Sequence, residues 1–355
     1  MTDTSAVQVS IVVACRNEIK CIGRFLDSLL AQDMPGIPWE AIIADGMSDD
    51  GTRDVLEEYS AQYSKLRVVA NPGRIVSSGL NAAIREARGR FIIRMDAHSW
   101  YAQNYCRLCL ETLEHTGADY AGGPVQALGV GALPCAVAAA YHSRFSTGGA
   151  KFHDVNYEGW VDTLPYGCWH KETLLRLGLF DENLVRNQDD ELSLRLTRAG
   201  GRIWQNPAIV SWYSPRRTIT GLFHQYFQYG FWKVAVIRKH RLPASWRHIV
   251  PVAVVLANFF LISSVAVTKA IGAEAWFYAT AVLWLALAAA YALTTLIVSI
   301  RLARRKGWMT LVYLPFVFAT YHLSYGLGFL MGMRWYFTTS GHAFYGQSLF
   351  TRLTR

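Results

Sequence analysis

Acidic side chains almost vanish from the last third of this 355-residue chain. Residues 249–355 hold one, Glu274, against eight Lys and Arg, whereas residues 1–248 hold 25 acids and 27 bases. The formal charge of +9 therefore divides into +2 and +7. Charged residues of every kind make up 17%, against about 25% in an ordinary soluble chain. A nucleic-acid binder clusters its bases on a soluble face. Here the bases flank apolar stretches and the remainder is nearly neutral, so nucleic acid is excluded as a partner. Neither G-x-G-x-x-G nor G-x-x-x-x-G-K-[ST] occurs, which leaves a dinucleotide fingerprint or a P-loop without support. A secretory signal is missing too. The start, MTDTSA, is polar, and the first apolar run, VSIVVA, is too short for a span, so the N-terminal half is expected not to be secreted. The six cysteines are scattered. Cys106 and Cys109 have C-x-x-C spacing, but no second pair or nearby His completes a zinc site, and they read as reduced helix residues.

Long uncharged runs are present in the second half, at about 249–268, 276–300 and 309–333. About 20 apolar residues in a helix cross a hydrocarbon core. Three such runs in succession leave no soluble shell that could bury them, so the expectation is three membrane spans. The third run contains Pro315, His322, Gly326, Gly328 and Gly332, and is open to a kinked, re-entrant or interfacial reading. Arg238, Lys239, Arg241 and Arg247 precede the first run; Arg301, Arg304, Arg305 and Lys306 separate the second from the third. The positive-inside rule then places the N-terminal half on the cytoplasmic side of a bacterial inner membrane. Arg334, Arg352 and Arg355 count mildly against an external C-terminus.

The first half alternates strand and helix patterns. Strands are expected at 8–14, 39–44, 66–70 and 91–95, with helices at 22–31, 52–63 and 77–87 between them. The continuous β-branched runs suit strands buried on both faces, and the alternation implies an α/β fold with a mostly parallel sheet. Ligands in such sheets bind beyond the carboxyl ends of the strands. Arg16, Asn17 and Glu18 follow the first strand; Asp45, Ser48, Asp49, Asp50 and Thr52 follow the second; Asp96 and His98 follow the fourth. Ser48 or Asp50 alone could cap a helix. Three carboxylate-bearing loops at one sheet edge point instead to a site. The oxygen and nitrogen donors of Asp96 and His98 suit Mg2+ or, with the imidazole, Mn2+.

At these residues the sequence resembles the family 2 glycosyltransferases of GT-A (Rossmann-like) fold. The likeness covers residues 8–235: the opening strand with R-N-E, the D-G-x-S-x-D-G-T loop, Asp96-Ala97-His98 in the place of D-x-D, G-x-F-D-E at 178–182, and Asp189-Asp190-Glu191. Within the family it is similar to the ExoA-type enzymes of exopolysaccharide assembly. The resemblance implies that Arg16, Glu18, Asp45, Asp50 and Asp96 bind a nucleotide-sugar donor and that Asp96 and His98 hold the metal. It implies a general base at Asp189, with Asp190 as the adjacent rival. His98 stands where the family has Asp, and Gln188 where it has Glu. Gln225, Gln228 and Trp232 follow the spacing of the Q-x-x-R-W acceptor motif, with Phe231 in the Arg position; an amphipathic aromatic helix on the membrane surface is the other reading.

The resulting organisation is a catalytic domain at 1–235, a basic interfacial linker at 236–248 and a helical transmembrane region at 249–355. The implied reaction is inverting transfer, from UDP-glucose to a polyprenyl-diphosphate-linked sugar. The basic linker residues would attract membrane lipids at about 1 kcal/mol each. A polyprenyl-phosphate glycosyltransferase, a processive synthase and a non-enzymatic membrane scaffold are the alternatives.

Overall fold

A computed structural model describes residues 7–241 and 245–338. Arg352 and Arg355, used above for orientation, lie outside the described residues. In chain order the elements begin with β1 (Val9–Cys15), α1 (Ile22–Leu30), β2 (Trp39–Asp45), α2 (Thr52–Gln62), β3 (Leu66–Ala70), α3 (Val76–Glu86) and β4 (Phe91–Asp96). Each lies within one residue of the segment expected from sequence. They continue as β5 (Ser99–Tyr101), α4 (Tyr105–Thr116), β6 (Tyr120–Gly122), β7 (Val125–Ala127), α5 (Ala132–Tyr141), α6 (Arg144–Thr147), β8 (Gly159–Val161), β9 (Gly167–His170), α7 (Lys171–Leu177), α8 (Gln188–Arg198), β10 (Ile203–Gln205) and β11 (Ser211–Tyr213). Four long helices close the described chain: α9 (Ile219–His240), α10 (Val250–Ala270), α11 (Glu274–Lys306) and α12 (Leu314–Thr338).

The chain forms two compact units, residues 1–127 with 150–214, and residues 128–149 with 215–355. The first is α/β. Its eight-stranded sheet has the order β3-β2-β1-β4-β9-β6-β10-β8, and β5, β11 and β7 form a second, small sheet. Strands β3, β2, β1 and β4 run parallel, while β9 pairs antiparallel to both β4 and β6. All seven residues of β1 are buried. Alternate side chains enter opposite faces: Ile11 and Val13 join one core with Phe25 and Leu29 of α1, and Val12 joins the other with Leu80 and Ile84 of α3. Burying each aliphatic side chain stabilises the fold by about 1.5–3 kcal/mol. The polar side chain within β1, Ser10, is tied in buried hydrogen bonds to Glu40 and the Gly89 N–H, and ligand chemistry falls beyond the strand's carboxyl end. Cys106 and Cys109 are buried free thiols on α4, and burial pushes both thiol pKa values up.

The second unit is helical. By length and composition, 246–270, 274–306 and 314–338 are three helices that could cross a membrane. Half of the α12 window is buried, against about a tenth or less for α10 and α11. From Leu314 onward the third apolar run is one continuous helix, and the residues at 309–313 form the turn before it. Pro315 lies in its first turn, where the missing N–H disrupts no intrahelical bond. The glycines are points of close approach: a Cβ on Gly328 would overlap the Phe227 carbonyl of α9, and one on Gly230 would overlap the Tyr325 carbonyl of α12. Small residues of this kind let two apolar helices pack backbone to backbone. The domain boundary expected at 235 falls inside α9, which runs unbroken to His240. Gly328→Val should force α9 and α12 apart and cost about 1–3 kcal/mol. A lowered unfolding midpoint of the purified protein in detergent would report it; an unchanged midpoint would contradict the packing account.

Candidate active site

The site is built from loops at the carboxyl edge of the parallel strands and from the start of α8. After β1 the chain turns sharply at Asn17, φ 53°, and after β2 at Met47, φ 58°. The two turns are stitched together. Asn17 N–H donates to Ser48 Oγ (2.9 Å) and its side-chain amide to Asp49 Oδ1 (2.8 Å), while Asp49 N–H returns to Asn17 Oδ1 (3.0 Å). Glu18 N–H donates to Thr52 Oγ1 at 2.7 Å. The Asp50 carboxylate accepts from Thr52 Oγ1 (2.6 Å), Thr52 N–H (3.0 Å) and Ile19 N–H (3.2 Å). Slight burial pushes the Asp50 pKa up, but these hydrogen bonds outweigh it and hold the carboxyl below its ordinary value. Asp45 is buried, accepts from Ser48 N–H at 3.3 Å, and lies 4.0 Å from Arg53 Nε. Arg16 packs its stem against Gly46.

The loop after β4 brings the metal-ligand candidates together. His98 Nδ1 lies 2.5 Å from Asp96 Oδ1 and 3.8 Å from Glu18 Oε1. Glu18 is 5% exposed. Asp96 N–H donates to the Tyr101 hydroxyl (2.7 Å), and the Tyr166 hydroxyl reaches Asp96 Oδ2 (3.4 Å). Burial pushes the Asp96 pKa up; the charge and hydrogen bond of His98, with Arg94, outweigh that and hold it below the ordinary carboxylate value. Burial pushes both tyrosine hydroxyls well up, so they stay protonated donors.

Arg94 was not singled out from sequence. It stands two residues before Asp96, on the same face of β4. It is 6% exposed, with its guanidinium over the Tyr166 and Phe180 rings at 5.6 and 5.5 Å. Burial works against its charge, but Asp189 and Asp96 outweigh that and raise its pKa. One buried cation therefore faces two of the proposed functional carboxylates. The available signal was a lone charge inside the otherwise apolar run FIIRM.

Asp189 and Asp190 occupy the first turn of α8, after Asn187 at φ 60°. Asp190 N–H donates to Asp189 Oδ1 at 3.0 Å. Glu191, the third acid, is fully buried in a bidentate pair with Arg195 (2.8–3.0 Å), and Arg195 also donates to the Leu177 and Leu179 carbonyls. Through this pair Glu191 fixes the helix that carries Asp189 and Asp190. Gln188 is buried at the head of the same helix. Gln225, Gln228 and Trp232 belong to α9 of the helical unit. Gln225 accepts from Arg216 (3.1 Å) and donates to the Tyr229 hydroxyl (3.2 Å), while Gln228 and Trp232 are 3% and 1% exposed.

Among the described residues no cluster of three or more His, Cys, Asp or Glu could hold a metal by protein groups alone. The Asp96 and His98 pair offers one oxygen and one nitrogen donor side by side. Ions such as Mg2+ are commonly held by one or two protein groups and completed by substrate phosphates, and this donor pair fits that pattern.

A family description, Glycosyl transferase family 2, matches residues 10–160. The chain is 33% identical over 256 residues to the succinoglycan biosynthesis protein ExoA of Rhizobium meliloti, covering 72% of this chain and 76% of that protein. It is 27% identical over 246 residues to the dolichyl N-acetyl-alpha-D-glucosaminyl phosphate 3-beta-D-2,3-diacetamido-2,3-dideoxy-beta-D-glucuronosyltransferase of Methanococcus voltae, covering 67% and 76%. Its fold matches a Pyrobaculum calidifontis mannosyltransferase solved with GDP-Man and Mn2+, with a TM-score of 0.56 at 20% identity over 92% of this chain and 87% of that one.

Arg94→Met removes the cation that favours the ionised form of Asp96, so the Asp96 pKa should rise. Isotope-edited infrared titration of the carboxylate measures this, and an unchanged midpoint would remove Arg94 from the electrostatics of the site.

Proposed function

The chain belongs to glycosyl transferase family 2, and on that premise we propose that it moves a sugar, with inversion, from a nucleotide-sugar donor to a lipid-linked sugar. The observation that carries the reading is the convergence of Glu18, Asp96 and His98 at one sheet edge, with Arg94 facing both Asp96 and Asp189. The coarser activity, a glycosyltransferase of exopolysaccharide or lipid-linked sugar synthesis, follows from the family and from the likeness to ExoA.

Donor binding is assigned to Arg16, Glu18, Asp45, Asp50 and Asp96. Asp45 and Asp50 would receive the base and ribose, and UDP-glucose is the proposed donor. Mn2+ or Mg2+ held by Asp96 and His98 would supply positive charge against the departing diphosphate. Asp189 would take the proton from the acceptor hydroxyl as that oxygen attacks the anomeric carbon from the face opposite the diphosphate. Asp190, one residue away, is the rival base. Arg94 would supply a compensating positive charge to Asp96 and Asp189. Gln188, at the head of the same helix, is proposed to position the acceptor; Gln225, Gln228 and Trp232 are assigned to it on motif resemblance alone.

The acceptor is proposed to be a polyprenyl-diphosphate-linked sugar. The three apolar helices support a membrane setting, and the name of the Methanococcus voltae relative describes an acceptor linked to a lipid phosphate. The basic residues at 238–247 and 301–306 support a cytoplasmic position for the α/β unit under the positive-inside rule.

Asp189→Asn should lower transfer by about 10²–10⁴ and leave donor binding intact. Transfer at the wild-type rate would remove Asp189, and Asp190→Asn would be tested next. Chelation with EDTA should stop turnover, and excess Mn2+ should restore it; turnover that survives chelation contradicts the metal assignment. A screen of nucleotide sugars against a membrane lipid extract identifies the donor. A product carrying one sugar more than the lipid-linked acceptor supports the reading, whereas sugar attached directly to a lipid monophosphate favours the polyprenyl-phosphate alternative.

A further inference from the structure

Residues 128–149 interrupt the α/β unit between β7 and β8, yet they belong to the helical unit. Helix α5 within this segment reads ALPCAVAAAY and carries no charge. At 1.5 Å per residue its ten residues are about 15 Å long, half of what a span requires. It is built onto helices long and apolar enough to cross a membrane. Val137 and Ala140 share a buried cluster with Ala303 of α11 and with Leu314 and Phe318 of α12. Polar contacts fix the register: His322 Nε2 lies 2.9 Å from the Phe145 carbonyl, and His322 Nδ1 lies 2.9 Å from the Tyr291 hydroxyl. The Phe145 ring meets Phe318 edge-on at 5.1 Å.

The tip of this segment is uncovered. Leu128 is 46% and Val130 92% exposed. The tip is nevertheless held in shape, since Cys135 N–H donates to the Gly131 carbonyl (3.0 Å) and Cys135 Sγ to the Gly129 carbonyl (3.2 Å). Water gives no reason to fix two aliphatic side chains outward. Nearby groups of the same unit have the composition of a membrane interface. Trp308 and Met309, 60% and 73% exposed, lie in the turn that packs on α5, directly after Arg304, Arg305 and Lys306. Trp246 is 73% exposed, and the side chain of its neighbour Arg247 lies against Gly148. Tryptophan with Lys and Arg at the ends of apolar helices marks the headgroup level.

We propose that residues 128–149 are a fourth membrane-contacting element, with α5 lying in one leaflet at the basic end of α11 and with Leu128 and Val130 against lipid acyl chains. The occupant of the exposed tip is the bilayer, because the segment that carries it packs on α11 and α12, two helices long and apolar enough to cross a membrane, and on the turn that holds Trp308 after a run of Lys and Arg. The segment 150–214, which carries Asp189, is then tethered to the membrane through its N-terminal as well as its C-terminal end. The inference stands on packing and exposure and does not depend on the donor, the acceptor or the reaction.

The test uses the full-length protein in phosphatidylcholine and phosphatidylglycerol vesicles containing a phospholipid with a photoactivatable acyl chain. Label should appear on the peptide carrying Leu128 and Val130 at a yield comparable to the α10 peptide carrying Phe259 and Phe260. The peptide carrying Leu175, a half-exposed residue of the α/β unit, should stay unlabelled. Val130→Asp, at an exposed position that the fold does not need, should lower labelling of its own peptide roughly tenfold and leave α10 unchanged. Labelling of the Val130 peptide no higher than that of the Leu175 peptide would overturn the proposal, whatever else covers the tip. So would labelling that Val130→Asp does not alter.

Discussion

Two-sided burial of the central parallel strands is the constraint on which the α/β unit depends. β1 is apolar or small along its whole length and is paired on both edges, by β2 and by β4. No side chain on such a strand can reach water, so polar groups collect where the strand ends. Cys15 and Asp45 end β1 and β2 in register, Asp96 ends β4 opposite Ala14, and the loops that follow carry Glu18, Asp50 and His98. The site is a consequence of how the core is closed.

Closing the core in this way concentrates negative charge, and buried charge is costly unless compensated. Two arginines supply compensation in different ways. Arg195 is committed to Glu191 and to the Leu177 and Leu179 carbonyls, so it ties α8 to the end of α7. Arg94 rests over two aromatic rings, and its charge interacts with those of Asp96 and Asp189. The first arrangement orients the helix that presents Asp189; the second sets the field in which Asp96 and Asp189 sit. Asp96 and His98 form a donor pair that a divalent ion with a diphosphate would suit.

Much of this was legible in the sequence because its physics is local. Runs such as VSIVVA and WEAIIA can hardly be anything but strands buried on both faces, and β1 to β4 lie within one residue of their expected positions. The polar loops were legible because strand ends are where ligands bind in such sheets. What was not legible depends on contacts distant in the chain. Arg94 reads as one charge in a strand until Tyr166, Phe180 and Asp189 are folded around it. Glu191 looks equivalent to Asp189 and Asp190 until Arg195 claims it. Gly328 reads as a weak point in a span, but it and Gly230 are where α9 and α12 touch. Nothing in ALPCAVAAAY says that α5 will leave its neighbours in sequence and pack on α11 and α12.

The central claim is that the carboxyl edge around Asp96 and His98 holds a divalent ion together with a nucleotide diphosphate. Electron spin-echo spectroscopy of Mn2+ added with UDP tests it directly, because a coordinated imidazole nitrogen modulates the echo. The account predicts one histidine coupling in the wild-type protein, its loss in His98→Ala, and loss of tight Mn2+ binding in Asp96→Ala. A Mn2+ signal without nitrogen coupling, or one unchanged in His98→Ala, would place the ion elsewhere and contradict the account.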